Sequence, residues 1–125
     1  MHLLLDTHIL LWCLQDSLRL SKKVRTQILA APMVYVSSVS IWEISIKVGI
    51  GKLNLDLGEL VNQMAQTGLQ ELRISHAHAA AVLRLPYLHK DPFDRMLVAQ
   101  AVSESLRLLT ADRLLASYSP LVEVI

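Results

Sequence analysis

The sequence predicts an α/β fold: a short, mostly parallel central sheet of about four to five strands, flanked by helices in three layers. Two observations predict it. Apolar runs of strand length recur along the chain, and segments with helical spacing lie between them, most of them bracketed by capping residues. A third observation sets the extent. No repeat, charge block, low-complexity stretch or Pro/Ser linker interrupts residues 1–125, so the chain is read as one domain over that span.

The first strand is read over His2–Asp6, where Leu3-Leu4-Leu5 runs into an acid, and the first helix over Ile9–Gln15. Ser21 opens a helix over Lys22–Ala31. Met33–Ser37 is the second strand, and Ser38 opens a helix over Val39–Val48 that Gly49 and Gly51 stop. A helix over Gly58–Gln66 is stopped by Gly68, and a third strand follows at Glu71–Ile74. Ser75 opens a helix over Ala77–Leu85, which Pro86 stops. Asp91 caps Pro92–Ser105, with the proline at the first helical position, where its missing N–H costs nothing. Arg107–Thr110 and Val122–Ile125 complete the strands.

Composition narrows the function. Hydrophobic residues make up 53% and charged residues 18%, against roughly 25% charged in an average domain, which excludes disorder. The longest stretch without Asp, Glu, Lys or Arg lies between Arg25 and Glu43 and is broken by Thr26, Gln27, Pro32 and serines, so no membrane span or membrane partner is expected. The N-terminus lacks a basic region and meets Asp6 after three leucines, unlike a signal peptide; a cytoplasmic location is expected. The apolar excess is expected to cover a partner or a second copy. Twelve Lys plus Arg against eleven Asp plus Glu leave +1, so no bulk field advertises a polyanion. The single Cys13, among Leu11, Trp12 and Leu14, reads as a small buried hydrophobe.

Parallel sheets place their sites beyond the carboxyl ends of the strands. The first strand ends in Asp6-Thr7-His8, and Arg107–Thr110 is followed by Ala111-Asp112. Each acid also reads as an ordinary helix cap. Glu43 falls on the same helical stripe as Val39, Ile46 and Ile50, although an i,i+4 pair with Lys47 on a solvated face also accounts for it. Asp94 heads the stripe of Leu97, Val98 and Ala101, and an unpaired carboxylate buried there costs several kcal/mol, on the order of 3–5. Four carboxylates brought to one edge repel, and they hold protons or bind a cation. Oxygen-only ligands select magnesium or manganese, and such a site suits metal-assisted phosphodiester hydrolysis.

Other chemistries fit poorly. Zinc calls for Cys or spaced His pairs, and His76 and His78 read as helix-surface histidines. Four glycines form no phosphate loop and no Gly-x-Ser-x-Gly elbow.

Asp6-Thr7-His8 with Leu10-Leu11-Trp12, Trp42-Glu43-Ile44 with Lys47 and Gly51-Lys52-Leu53, His89-x-Asp91-Pro92-Phe93-Asp94-Arg95 with Leu97 and Ala99-Gln100-Ala101, and Leu109-Thr110-x-Asp112 together resemble a PIN domain. The pattern is most similar to VapC-type toxins and covers nearly the whole chain. The resemblance implies a magnesium- or manganese-dependent ribonuclease, often a homodimer, neutralised by a small antitoxin whose tail occupies the active-site groove. It places the core acids at Asp6, Glu43, Asp94 and Asp112, with Thr7 as the hydroxyl beside the first and Asp91 as a subgroup residue that also caps its helix. His8 departs from the small polar residue many PIN domains carry there.

The reading is therefore a PIN-like endoribonuclease, the toxin of a toxin–antitoxin pair. Asp6, Glu43, Asp94 and Asp112 hold the metal and activate water, while Thr7, Lys47 and Arg95 are candidates for substrate contact. Lys22, Lys23 and Arg25 form either a basic track for RNA or a solvated helix start. One rival is an inactive interaction module whose acidic pocket captures a basic peptide. A second, a receiver-like phosphotransfer domain, lacks an acceptor Asp after the second strand, where Ser37 stands.

Overall fold

The computed structural model describes residues 1–125. Five strands, β1 (Leu3–Leu5), β2 (Val34–Ser37), β3 (Gln70–Leu72), β4 (Arg107–Thr110) and β5 (Val122–Val124), form one sheet in the order β3-β2-β1-β4-β5. The expected sheet was mostly parallel; all four pairings are parallel. Six α-helices accompany it: α1 (Thr7–Leu14), α2 (Lys22–Ala30), α3 (Ser38–Gly49), α4 (Leu57–Gln66), α5 (His76–Ala81) and α6 (Pro92–Glu104).

Strand alternation assigns the layers. Leu4 and Leu108 point to the face covered by Leu97, Val98 and Ala101 of α6. Leu3, Leu5 and Leu109 point to the opposite face, against Ile9 of α1 and Val24 and Ile28 of α2. There Leu10, Leu11 and Val36 also meet Ile44, Leu60 and Met64, which brings α3 and α4 into the layer. Cys13 is half-buried against this face, and burial pushes its thiol up from the ordinary range.

The chain runs from β1 outward to β2 and β3, then returns to pair β4 on the other side of β1. The order therefore reverses between β1 and β4, and the carboxyl ends of these two strands are where a parallel sheet of this order places a site.

Several boundaries differ from the sequence reading for local reasons. Ser37, not Ser38, caps α3, its hydroxyl accepting from the Val39 N–H at 3.0 Å. Gly49 remains helical, and Gly51 makes the turn at φ +79°, a conformation a side chain would strain. The helix expected over Ala77–Leu85 ends at Ala81 and tightens into a 3-10 turn over Val82–Arg84 ahead of Pro86. A further 3-10 turn over Arg113–Tyr118 had no counterpart in the periodicity.

His78 is not a surface histidine as expected. It is buried, because at the third position of α5 its ring turns back to accept the Ser75 N–H at 3.1 Å, while the Ser75 hydroxyl accepts the His78 N–H. His76 stays exposed.

Candidate active site: a linked carboxylate cluster

Asp6 caps α1. Its Oδ1 accepts the Ile9 N–H at 2.8 Å, and its Oδ2 accepts the Thr110 hydroxyl at 2.5 Å. Only 3% of Asp6 is exposed. Burial pushes its carboxyl above the ordinary range, opposed by the Thr110 and Ile9 hydrogen bonds. Thr110 Oγ1 in turn accepts the Asp112 N–H at 3.0 Å, so one hydroxyl joins the ends of β1 and β4.

Asp112 caps the 3-10 turn after β4, its Oδ1 accepting the Leu114 N–H at 3.0 Å. Its Oδ2 lies 2.8 Å from His89 Nε2, which also stands 3.6 Å from Asp94 Oδ2. His89 Nδ1 accepts the Asp91 N–H at 3.0 Å. Asp91 is the N-cap of α6, its Oδ1 accepting from Phe93 N at 2.8 Å.

Asp94 is the acid most disturbed by its surroundings. Its carboxyl is pushed up to about 7, first by burial and then by the Asp91 and Asp6 carboxylates, with a smaller push from Glu43 and opposition from His89. Glu43 on α3 is 6% exposed, so a solvated face does not account for it. Its Oε1 accepts the Thr7 hydroxyl at 2.8 Å, and its Oε2 accepts from Lys47 Nζ at 2.8 Å. Thr7 Oγ1 also lies 3.0 Å from Ser40 Oγ. The i,i+4 pair is real, yet its carboxylate faces inward.

The structure thus links Asp6, Thr7, Glu43, Asp94 and Asp112 through hydrogen bonds and mutual charge at the switch between β1 and β4. Lys47 balances Glu43 at its rim. Arg95 lies apart. Its guanidinium donates to Pro86 O at 3.0 Å, Tyr118 Oη at 3.1 Å and Val82 O at 3.3 Å, and it stacks over Tyr87. Arg25 is likewise committed, to Asp16, Ser17 O and Leu20 O, which leaves Lys22 and Lys23 as the exposed cations of that helix start.

Sequence reasoning missed three residues of this assembly: His89, Thr110 and Tyr118. His89 stood in a motif already noted, two residues before a capping Asp, but its partner Asp112 is 23 residues away. Thr110 carried the one available signal, a hydroxyl closing an apolar strand two positions before an acid. Tyr118 gave none. Its Oη accepts the His89 N–H at 2.9 Å and the Leu88 N–H at 3.2 Å, holding the turn that carries His89.

The PIN domain family model matches residues 3–119. The chain belongs to the PIN domain family. Ribonuclease VapC22 of Mycobacterium tuberculosis is 30% identical over 118 residues, which cover 92% of this chain and 90% of the relative. The VapC-type resemblance read from the motifs therefore holds. Among solved structures, VapBC2 from Rickettsia felis bound to a promoter DNA fragment superposes with a TM-score of 0.72 at 14% identity, covering 100% of this chain and 98% of the other. A toxin-antitoxin complex from Klebsiella pneumoniae gives a TM-score of 0.67 at 21% identity, covering 98% and 96%. At these identities the two structures bear on the fold, and the PIN fold is the one they share with this chain.

A groove of about 550 Å³ between α3 and α4 holds none of the clustered acids; Ile41, Trp42, Val61 and Met64 contribute its apolar wall.

Proposed function

We propose that residues 1–125 form one magnesium- or manganese-dependent endoribonuclease domain that hydrolyses RNA phosphodiester bonds and serves as the toxin of a type II toxin–antitoxin pair. The observation that carries the reading is geometric: the Thr110 hydroxyl joins Asp6 to Asp112 at the ends of β1 and β4, and Asp94 places a carboxylate oxygen within 4.8 Å of one from Asp112, with its carboxyl pushed up by burial and by the Asp91, Asp6 and Glu43 carboxylates. The donor set fits a hard divalent ion, since Asp6, Glu43, Asp94 and Asp112 offer carboxylate oxygens. When bound, such an ion lowers the pKa of water and stabilises charge on the leaving oxygen.

The chain's own residues supply the rest. Asp6 and Asp112, fixed at two strand ends through Thr110, set the spacing of the cluster. The Thr7 hydroxyl and Lys47 hold the two oxygens of Glu43, and Thr7 is the hydroxyl that would orient the water or a phosphate oxygen. Asp94 would hold the ion together with Asp6, Glu43 and Asp112, and its carboxylate would orient the attacking water. Arg95 contributes by holding the turn before α6, and Asp91 by opening that helix.

The relative's name, a ribonuclease of the VapC type, supports the activity, and the structural neighbours crystallised as toxin–antitoxin complexes support a cognate antitoxin. Exposed Trp42 and Ile46 on α3, with Ile50 just past its end, supply apolar surface for a homodimer or that antitoxin. No helix is long and apolar enough to cross a membrane.

The test is cleavage of a random-sequence RNA pool by purified protein in millimolar manganese, with and without excess EDTA, beside Asp94→Asn. Wild type cleaves only with free metal, and the variant is slower by about 100-fold or more. Equal cleavage by the variant, or in EDTA, contradicts the reading. No product under any condition, with retained binding of a basic peptide, favours the interaction module.

A further inference from the structure

His89, Asp94 and Asp112 each place one ligand-type atom within 4.8 Å of the others, a grouping that on distance alone is a mixed nitrogen and oxygen metal site. The hydrogen bonds around the ring oppose that assignment. The Asp91 backbone N–H, whose direction the helix cap fixes, donates to His89 Nδ1 at 3.0 Å. Nδ1 therefore carries no proton, and the proton of the neutral ring sits on Nε2. Nε2 is the nitrogen that faces the acids, 2.8 Å from Asp112 Oδ2. A protonated nitrogen has no lone pair to give a cation.

Building on the metal-dependent reading above, we infer that His89 is a positioning residue of the cluster and not one of its ligands: its Nε2–H holds the Asp112 carboxylate in place for the metal. Asp112 needs such a hold. Its side chain is 36% exposed, against 22% for Asp94, and it lies where β4 gives way to a 3-10 turn. Leu114 N–H occupies one oxygen and His89 Nε2–H the other, which fixes the plane of the carboxylate and leaves a lone pair on each oxygen. The ring itself has little freedom, being 15% exposed, with its backbone N–H bound to Tyr118 Oη at 2.9 Å. The same ring ties the start of α6, which carries Asp94, to the end of β4, which carries Asp112.

Two measurements on the full chain test this. Long-range 1H–15N spectra of the histidine rings, recorded without metal and at saturating magnesium, report which nitrogen carries the proton. The expected result is a His89 ring protonated on Nε2 in both; loss of the Nε2 proton with magnesium makes it a ligand and overturns the inference. Manganese affinity is then compared for wild type, His89→Ala and His89→Gln, alone and with Asp112→Asn. His89→Ala is expected to weaken binding by about 10–100-fold, and His89→Gln, which keeps an N–H near the same place, to recover most of it. In the Asp112→Asn background His89→Ala is expected to cost little more. An unchanged affinity in His89→Ala, or the same loss without the Asp112 carboxylate, overturns the inference while the metal-dependent reading stands. A wild type that takes up no manganese overturns both.

Discussion

The Thr110 hydroxyl donates to Asp6 Oδ2 at 2.5 Å and accepts the Asp112 N–H at 3.0 Å, so one side chain, itself fully buried, sets the distance between two strand ends. β1 and β4 are neighbours because the chain reverses its order there. The reversal is a property of the topology, and Thr110 joins the two acids that end its strands.

Thr110→Val keeps the shape of the side chain and removes both hydrogen bonds. The buried Asp6 carboxylate loses a donor, and the Asp112 N–H loses its acceptor. Urea denaturation is expected to show a loss of about 1–3 kcal/mol, with weaker manganese binding in the folded variant. A variant as stable as wild type removes Thr110 from this role.

Without metal, stability is expected to fall as pH rises from about 4 toward 8. Asp94 has a carboxyl raised to about 7 in the folded chain against 3.8 unfolded, so between those values the folded state binds the extra proton. Its contribution is whole below pH 3.8 and is lost as pH climbs through 7. Burial raises Asp6 in the same direction. Melting curves of metal-free protein across this range, beside Asp94→Asn, check the slope, which the variant flattens. Saturating manganese is expected to reverse it, because the cation competes with the proton.

The first strand was legible because a short run of three leucines ended by an acid suits a strand buried on both faces, and Leu3, Leu4 and Leu5 are all buried. Arg107–Thr110 fell on the bounds read from the sequence. The acids at the ends of these strands followed from the sheet, Glu43 and Asp94 from carboxylates standing on apolar helical stripes, and the family resemblance named the same four. What stayed illegible depends on contacts distant in sequence or on the fine geometry of a turn. His89 acts through Asp112, and Tyr118 through Leu88, His89 and Arg95, none of which local periodicity can pair. His78 was misread because its burial comes from a capping bond, not from an apolar stripe.

Lys47→Met tests the balance of charge at the rim. Glu43 is buried and its Oε2 has Lys47 as its cationic partner, itself about a third exposed. Removal of the lysine is expected to cost about 1–2 kcal/mol without metal, less than for a fully buried pair. Manganese is expected to restore part of that loss. The check is the melting midpoint with and without metal; a loss that metal leaves unchanged assigns Lys47 a packing role alone.

Tyr118→Phe removes one hydroxyl and leaves the ring. Arg95 and the N–H groups of Leu88 and His89 lose a common acceptor, and the turn before α6 loosens. A loss of about 1–2 kcal/mol in denaturant titration is expected, together with faster amide exchange at Leu88 and His89. Unchanged exchange there shows that the turn is held by other contacts.

That the carboxylates at the ends of β1 and β4 gather for a cation is tested most directly, with no knowledge of the RNA, by thermal unfolding of wild type and Asp94→Asn, each with and without millimolar manganese. Metal-free Asp94→Asn is expected to melt no lower than wild type, because the substitution relieves repulsion from Asp91, Asp6 and Glu43. Manganese then raises the wild-type midpoint well above the variant's. If manganese moves neither protein and Asp94→Asn melts lower, Asp94 is only a helix-start residue and the cluster is not a metal site.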